Sequence, residues 1–420
     1  MIIYRATRYR IYPTAEQEAR LRRWQDALRF LWNLAHEQRL MGLARPKDER
    51  RFVKYIDQQA ELTQLRAELP WLAEVPCCAC QGILRELDKA WERAFKSISQ
   101  QPRWKRKSRR GCSIVASVPS FRVDSDRITF PKLGAVPAVI HRELRGKAKT
   151  IRLVRDVDQW FAIVSTEIEA ATPAPSSLPP VGIDRGVVNI LADSTGRLVE
   201  NPQYLNRMAA RIARAQRSAA RKKGGSKNRY KAIDKVARLH RKVRRQRDHL
   251  LQAESKRYAK SHGVVVLEKL NLQAMTASAK GTIDDPGTNV SQKAGLNRAI
   301  RHAAWGCFAD LLRYKLTEHG GIIIEVMASY SSQTCSACGS VDAENRRSRS
   351  DFACTVCGHR EDADVNAAKV ILSRGLLDSS TKPLAKDKKT LRILKRKRKD
   401  DATAVVPTVE ACGGDGVARP

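Results

Sequence analysis

Two cysteine pairs constrain this chain more than any other feature. Cys335-x2-Cys338 and Cys354-x2-Cys357 are separated by fifteen residues. Each pair places two thiolates on one knuckle, and four thiolates close a tetrahedral Zn²⁺ site with no position left for water. Both knuckles run into glycine, Gly339 and Gly358, which suits a tight turn around a metal. The site therefore reads as structural rather than catalytic. A third pair, Cys77-x2-Cys80 in "PCCACQ", has no second knuckle and stands at a helix start, so it reads as packing. Ten cysteines in 420 residues do not make a secreted disulfide framework; tight pairs suit a reducing cytoplasm.

The second constraint is charge. The chain carries a formal net charge of +35, which repels itself unless an anionic partner neutralises it. The basic residues are spread along most of its length, which favours a long polyanion over a membrane surface or an acidic protein. A hydrophobic fraction of 42% argues for folded domains, and the length allows two or three. The N-terminus has no apolar core of signal-peptide length, and no apolar run approaches the roughly 18 residues of a membrane span. The protein is expected in the cytoplasm, with no membrane partner.

Periodicity divides the chain. "IIYRATRYRIYP" (2–13) alternates bulky and basic residues and reads as a strand. Thr14 and Gln17 are placed as a capping box, and Leu21, Trp24, Leu28, Leu31 and Ala35 then recur at helical spacing. Further helices are predicted at 55–68 and 79–98, with "ELPWLAEVP" as the break. A basic loop (102–113) leads to short strands over 113–170, read as a β-barrel or sandwich completed by the first strand, with the helical module 14–100 inserted into it. "AATPAPSSLPP" (170–180) is a linker. Beyond it come a strand through Asp184, a hairpin, basic helices over 203–260 broken at "KKGGSKN", a strand ending at Glu268, an amphipathic helix (296–321), the strand "IIIEV" and a last helix. That order suggests an α/β sheet of the RNase H type. From 377 the chain reads as a disordered basic tail, and "KRKRK" (395–399) as a solvated or RNA-contacting run.

Carboxylates at strand ends stand out in so basic a chain. Asp184 follows "VGI", Glu268 ends "VVVL", and Asp364 opens the helix "VNAAKVIL". Clustered buried carboxylates need cations. Three of them, from separate elements of one sheet, suit two Mg²⁺ ions (or Mn²⁺) about 4 Å apart, the arrangement of in-line phosphodiester hydrolysis. Taken singly, Asp364 also fits an ordinary N-cap, and Glu268 a surface strand end.

"YRIYPTAEQ", "GIDRGVVNILA", "VVVLEKLNL", "KAGLNRAI", "YSSQTCSACG" and "CTVCGHREDADVNAAKVIL" together resemble TnpB, the RNA-guided nuclease of bacterial insertion sequences, and its relatives the compact type V CRISPR effectors. The segments fall in order from residue 4 to about 376. The resemblance implies a RuvC nuclease domain (180–334 and 359–376) split by a zinc ribbon (335–358). It also implies a wedge-like barrel (1–13 and 110–172) and helical recognition module (14–109), and an activity: metal-dependent, RNA-guided cleavage of double-stranded DNA beside a short motif. It maps the metal-binding acids onto Asp184, Glu268 and Asp364, the last in Asp364-x-Asn366-Ala367-Ala368, with Asp362 as second choice. "GIDRG" departs from the family in carrying Arg185 where leucine is frequent. Arg207, Arg211, Lys222, Lys223, Lys227, Arg229 and Lys231 are the residues expected on guide RNA or heteroduplex. An insertion-sequence nuclease and a small CRISPR effector share these motifs; the alternatives are a guide-RNA-dependent DNA-binding protein with weak or no cleavage, which should have lost a carboxylate, and a transposase accessory protein. Monomer and dimer stay equally open.

Overall fold

A computed structural model describes residues 1–381 apart from 108–110, 283 and 328. The described chain forms two compact units that meet in sequence between Ala171 and Thr172.

The first unit begins with β1 (Ile2–Ile11), whose alternation buries Tyr9 and Ile11. Pro13 ends it, and α1 (Ala15–Ala44) starts on the expected capping box: Thr14 accepts from the Gln17 N–H, and Gln17 accepts from the Thr14 N–H. The buried stripe of α1 includes Leu21, Trp24, Leu28, Leu31 and Ala35. Next come α2 (Tyr55–Glu68), α3 (Pro70–Ala73) and α4 (Cys77–Phe95). The α3 turn forms inside the stretch expected to be a break, because Pro70 at the helix start needs no N–H partner there. Cys80 lies in the core, where burial pushes its thiol up to about 11.

Six more strands complete this unit: β2 (Ile114–Ser117), β3 (Arg122–Val123), β4 (Arg127–Phe130), β5 (Gly134–Val139), β6 (Lys147–Asp156) and β7 (Gln159–Glu169). They pair antiparallel in the order β2-β6-β7-β1-β5-β4-β3. The N-terminal strand thus sits near the middle, registered along its whole length against β7. The expected barrel does not close. Among the described residues β2 and β3 are free edges, and β3 is only two residues long, too short to seal a seam.

The second unit contains β8 (Pro180–Asp184), β9 (Asn189–Asp193), β10 (Leu198–Glu200), α5 (Tyr204–Ala220), α6 (Lys227–Ser261), β11 (Val264–Glu268), α7 (Leu272–Met275), α8 (Val290–Ala303), α9 (Trp305–Glu318), β12 (Ile322–Val326), β13 (Asp351–Ala353), β14 (Arg360–Asp362) and α10 (Ala363–Thr381). The main sheet runs β10-β9-β8-β11-β12. Its hairpin strands are antiparallel, while β8, β11 and β12 are parallel. The parallel strands read as continuous apolar runs because helices cover them: Val181, Ile183, Val265 and Leu267 join Tyr258, Phe308 and Leu312 in one core. Residues 377–381 prolong α10, so the tail expected from 377 cannot begin there. The rest of it, "KRKRK" included, lies outside the described residues. No helix among the described residues is long and apolar enough to cross a membrane.

One contact sets the position of α10. Gly182 and Asp184 are two residues apart on β8 and share a face. A Cβ added at Gly182 would stand 2.2 Å from the Ala368 carbonyl oxygen and 2.7 Å from the Leu372 nitrogen. Gly375 makes the reciprocal approach, against the Val266 side chain on β11. Helix backbone therefore lies directly on sheet backbone, and Asp364, one turn before Ala368, comes to the end of β8 that carries Asp184. Gly182→Ala is expected to destabilise the second unit by about 1–3 kcal/mol. Thermal unfolding of the full chain measures this, and guide-directed cleavage should fall with it.

Candidate active site and metal centre

Asp184 and Glu268 end neighbouring parallel strands. Ile183 is opposite Leu267 in register, so the two acids occupy the next rung, on strands about 5 Å apart. Asp364 arrives from α10. Burial first, then the negative charges of Glu268 and Asp364, push the Asp184 carboxyl up to about 7; the Arg185 N–H and the Arg346 guanidinium oppose the rise. The three acids predicted from sequence thus share one electrostatic environment.

They are not drawn onto one point. Among the described residues, the four cysteines are the one group of three or more His, Cys, Asp or Glu close enough to hold a metal ion. Each of two carboxylates instead has its own protein partner. Glu268, buried, accepts from the Ser331 hydroxyl at 2.7 Å. Asp364 accepts from the Asn189 amide at 3.1 Å and pairs with Arg346 at 3.3 Å. The donor set is all oxygen and acidic, which suits hard divalent cations. Partners of this kind hold the carboxylates in place, and a cation would have to compete with Arg346 for Asp364.

Asp362 does different work. Its Oδ1 accepts from the backbone N–H groups of Asp364 and Val365, at 3.0 and 3.2 Å, which is the geometry of a helix N-cap. The cap falls on Asp362, and this leaves the Asp364 carboxylate directed to the acidic cluster.

Arg185, the departure in "GIDRG", is buried. Its Nη2 donates to the Glu268 carbonyl oxygen, and its Nη1 lies 3.5 Å from the Trp305 carbonyl oxygen. The Trp305 indole in turn donates to the Gly186 carbonyl oxygen at 3.0 Å. The guanidinium thus straps the end of β11 to the end of β8. Sequence reasoning placed Arg185 beside the acids but gave it no contact. It missed Asn189, Ser331 and Arg346 altogether. Ser331 and Asn189 stand inside "YSSQTCSACG" and "GIDRGVVNILA", segments that carry the family resemblance, but nothing local shows what they bond; Arg346 carries no local signal, its partner Asp364 lying 18 residues on.

The cysteine centre follows its spacing. The four Sγ atoms all lie within 4.8 Å of one another. Cys335 and Cys357 are 3.7 Å apart, and Cys338 and Cys354 3.6 Å. Zn–S bonds of about 2.3 Å at tetrahedral angles require sulfurs about 3.8 Å apart, so the four thiolates fit Zn²⁺. Gly339 (φ +79°) and Gly358 (φ +72°) turn the two knuckles, and their N–H groups bond the Cys335 and Cys354 carbonyls. The N–H of Cys357 helps bring the Cys354 thiol down to about 6, toward the thiolate.

This centre is tied to α10 through Asn366, which is fully buried. Its Oδ1 accepts from the Ser336 N–H at 2.9 Å, and its amide donates to the Thr334 carbonyl at 2.8 Å. The first knuckle is thereby fixed two residues from Asp364.

The predicted nucleic-acid residues fall on α5, α6 and their connection. Arg207, Arg211, Lys223, Lys227 and Lys231 are exposed. Lys222 and Arg229 are half-buried, and Arg229 donates to the Lys222 carbonyl at 3.1 Å, a bond that closes the connection.

Comparison with known proteins bears on this geometry. Residues 163–279 match a family model described as a probable transposase, OrfB of the IS605 type. Residues 305–371 match the Cas12f1-like TNB domain. A protein of Streptomyces pristinaespiralis named as a putative RNA-guided DNA endonuclease is 33% identical over 417 residues, 96% of this chain and 98% of its own. InsQ of Escherichia coli (strain K12), also named as a putative RNA-guided DNA endonuclease, is 31% identical over 376 residues, 88% of this chain and 92% of its own. The chain belongs to the TnpB family.

The cryo-EM structure of a Cas12f1–sgRNA–target DNA complex shares the fold, with a TM-score of 0.54 at 13% identity over 88% of this chain and 98% of that one. A helix-turn-helix model also matches residues 1–40. In this TnpB-family chain those residues form β1 and most of α1, a strand and a single helix.

Asn366→Ala would leave the Ser336 N–H and the Thr334 carbonyl unpaired in a buried place. A loss of about 2 kcal/mol in the denaturant unfolding of the second unit is expected, together with faster release of zinc to a colorimetric chelator.

Proposed function

We propose that this chain is an RNA-guided endonuclease that cuts double-stranded DNA at the carboxylates Asp184, Glu268 and Asp364. The observation that carries the reading is the proximity of those three acids, from β8, β11 and α10, near enough for Glu268 and Asp364 to raise the Asp184 carboxyl, in a protein of net charge +35. A folded chain gains nothing in stability from crowding like charges, so the arrangement is best explained by divalent cations. The family relationship supplies the RNA guide and the DNA target, since relatives over nearly the full length are named as putative RNA-guided DNA endonucleases.

In this reading the second unit is a RuvC-type nuclease of the RNase H class. Its sheet order, with an antiparallel hairpin β9–β10 followed outward by parallel β8, β11 and β12, supports that assignment. Residues 335–358 form a zinc ribbon inserted before the last acid, and Cys335, Cys338, Cys354 and Cys357 would hold Zn²⁺. Asp184, Glu268 and Asp364 would hold Mg²⁺, or Mn²⁺, which supplies an activated water and stabilises the leaving oxygen. The chain's own residues do the remainder. Arg185 and Ser331 hold Glu268, and Asn189 and Arg346 hold Asp364. In the first unit, the open sheet would serve as the wedge and the α1–α4 helices as the recognition module, gripping RNA and reading the motif beside the target.

Asp184→Ala, Glu268→Ala and Asp364→Ala are each expected to reduce cleavage of a guide-matched plasmid to background. Retention of RNA and of target DNA should be unchanged. Asp362→Ala should keep measurable cleavage while losing about 1 kcal/mol of stability with its cap. Cleavage that survives in Asp364→Ala but not in Asp362→Ala would reassign the third acid. Cleavage without any bound RNA would replace the guided reading with an unguided nuclease or transposase.

A further inference from the structure

A basic cavity opens in the second unit away from the acids. Its volume is about 430 Å³, and it is lined by Tyr204 of α5 and by Arg238, Arg241, Lys242, Arg245, Gln246 and His249 of α6. None of these residues is among those expected from sequence to touch nucleic acid. Arg238, Lys242, Arg245 and His249 recur every three or four residues, so they form one stripe along α6, about 16 Å from end to end. All four are exposed, whereas Arg241 lies buried in the cavity wall. Whatever local pairs these side chains make, residues 235–249 carry seven Lys and Arg against Asp248 as their one acid. The first turn of α5 has no acidic residue and no side-chain cap, which adds positive potential at the Tyr204 wall.

Two features make the cavity more specific than a charged surface. Tyr204 packs against Met208, Ile212 and Val243, so its ring is braced on one side while it lines the cavity. Gln246 offers an amide that both donates and accepts, as recognition of a base edge requires. Braced aromatic, amide and cations together are the means by which proteins hold an unstacked base and its phosphates. The volume is enough for one nucleotide.

We propose that this cavity binds a single unpaired nucleotide of the guide RNA, with the base against Tyr204 and Gln246 and the flanking phosphates on the Arg238–Lys242–Arg245 stripe. The inference rests on the RNA-guided reading. RNA rather than DNA follows from the amide: the constant part of a guide presents the same base every time, whereas a programmable DNA target does not.

The test uses the full chain co-expressed with its native flanking DNA, so that its RNA is bound during purification. Lys242→Gln combined with Arg245→Gln removes two exposed charges. Tyr204→Leu removes the ring while keeping an apolar contact with its neighbours. Melting curves establish that each variant is folded. The double variant should bind the purified RNA about tenfold more weakly, and its salt dependence should be shallower by about 1.4 in log–log slope. Tyr204→Leu should expose one discrete RNA position to chemical probing that the wild-type protein protects. Folded variants with unchanged affinity, slope and probing would overturn the inference while leaving the guided reading intact. Protection that moves from the RNA to a DNA strand would overturn it as well. A wild-type protein that retains no RNA would overturn the guided reading and this site together.

Discussion

Like charges gather in a folded protein only where packing elsewhere holds them together. Here that packing is the contact of α10 with the sheet at Gly182, where a single Cβ would collide with the Ala368 carbonyl. From it follow the depth of α10, the arrival of Asp364 at the end of β8, and the rise of the Asp184 carboxyl to about 7 beside its two acidic neighbours. The packing that opposes the repulsion among the acids includes a buried apolar interface of Val266, Val326 and Ile371. Arg185 and Arg346 supply the remaining positive charge, one strapping strand ends and the other facing Asp364.

The start of α10 concentrates several roles into seven residues. Asp362 caps the helix, Asp364 joins the acids, Asn366 binds the first cysteine knuckle, and Ala368 rests on Gly182. A cysteine knuckle therefore borders acidic residues for a mechanical reason. The knuckle fixes the helix end, and the helix end positions the acid. In the proposed reading, zinc lost from these cysteines would loosen Asp364.

Much of this was legible in the sequence, for identifiable reasons. The cysteine spacing, the strand-ending acids and the Thr14–Gln17 cap are local signals, readable without knowing the fold. The distinction between Asp362 and Asp364 was not local. Both stand at a helix start, and only the bonds from the Asp364 and Val365 N–H groups separate cap from cluster. The same holds for Asn189 and Arg346, whose partner lies 175 and 18 residues away in the chain. The open edges of the first sheet were misread as a barrel because alternation reveals strands and faces but not closure. The basic cavity was hidden among equally basic neighbours, since charge alone does not show where a helix face becomes concave.

The central claim is that Asp184, Glu268 and Asp364 form one divalent-cation site. Electron paramagnetic resonance of the RNA-bound protein, titrated with Mn²⁺, tests it most directly. The account predicts saturable Mn²⁺ binding that is lost in each of Asp184→Asn, Glu268→Gln and Asp364→Asn, with zinc content unchanged. Mn²⁺ binding that persists undiminished in all three variants would contradict it.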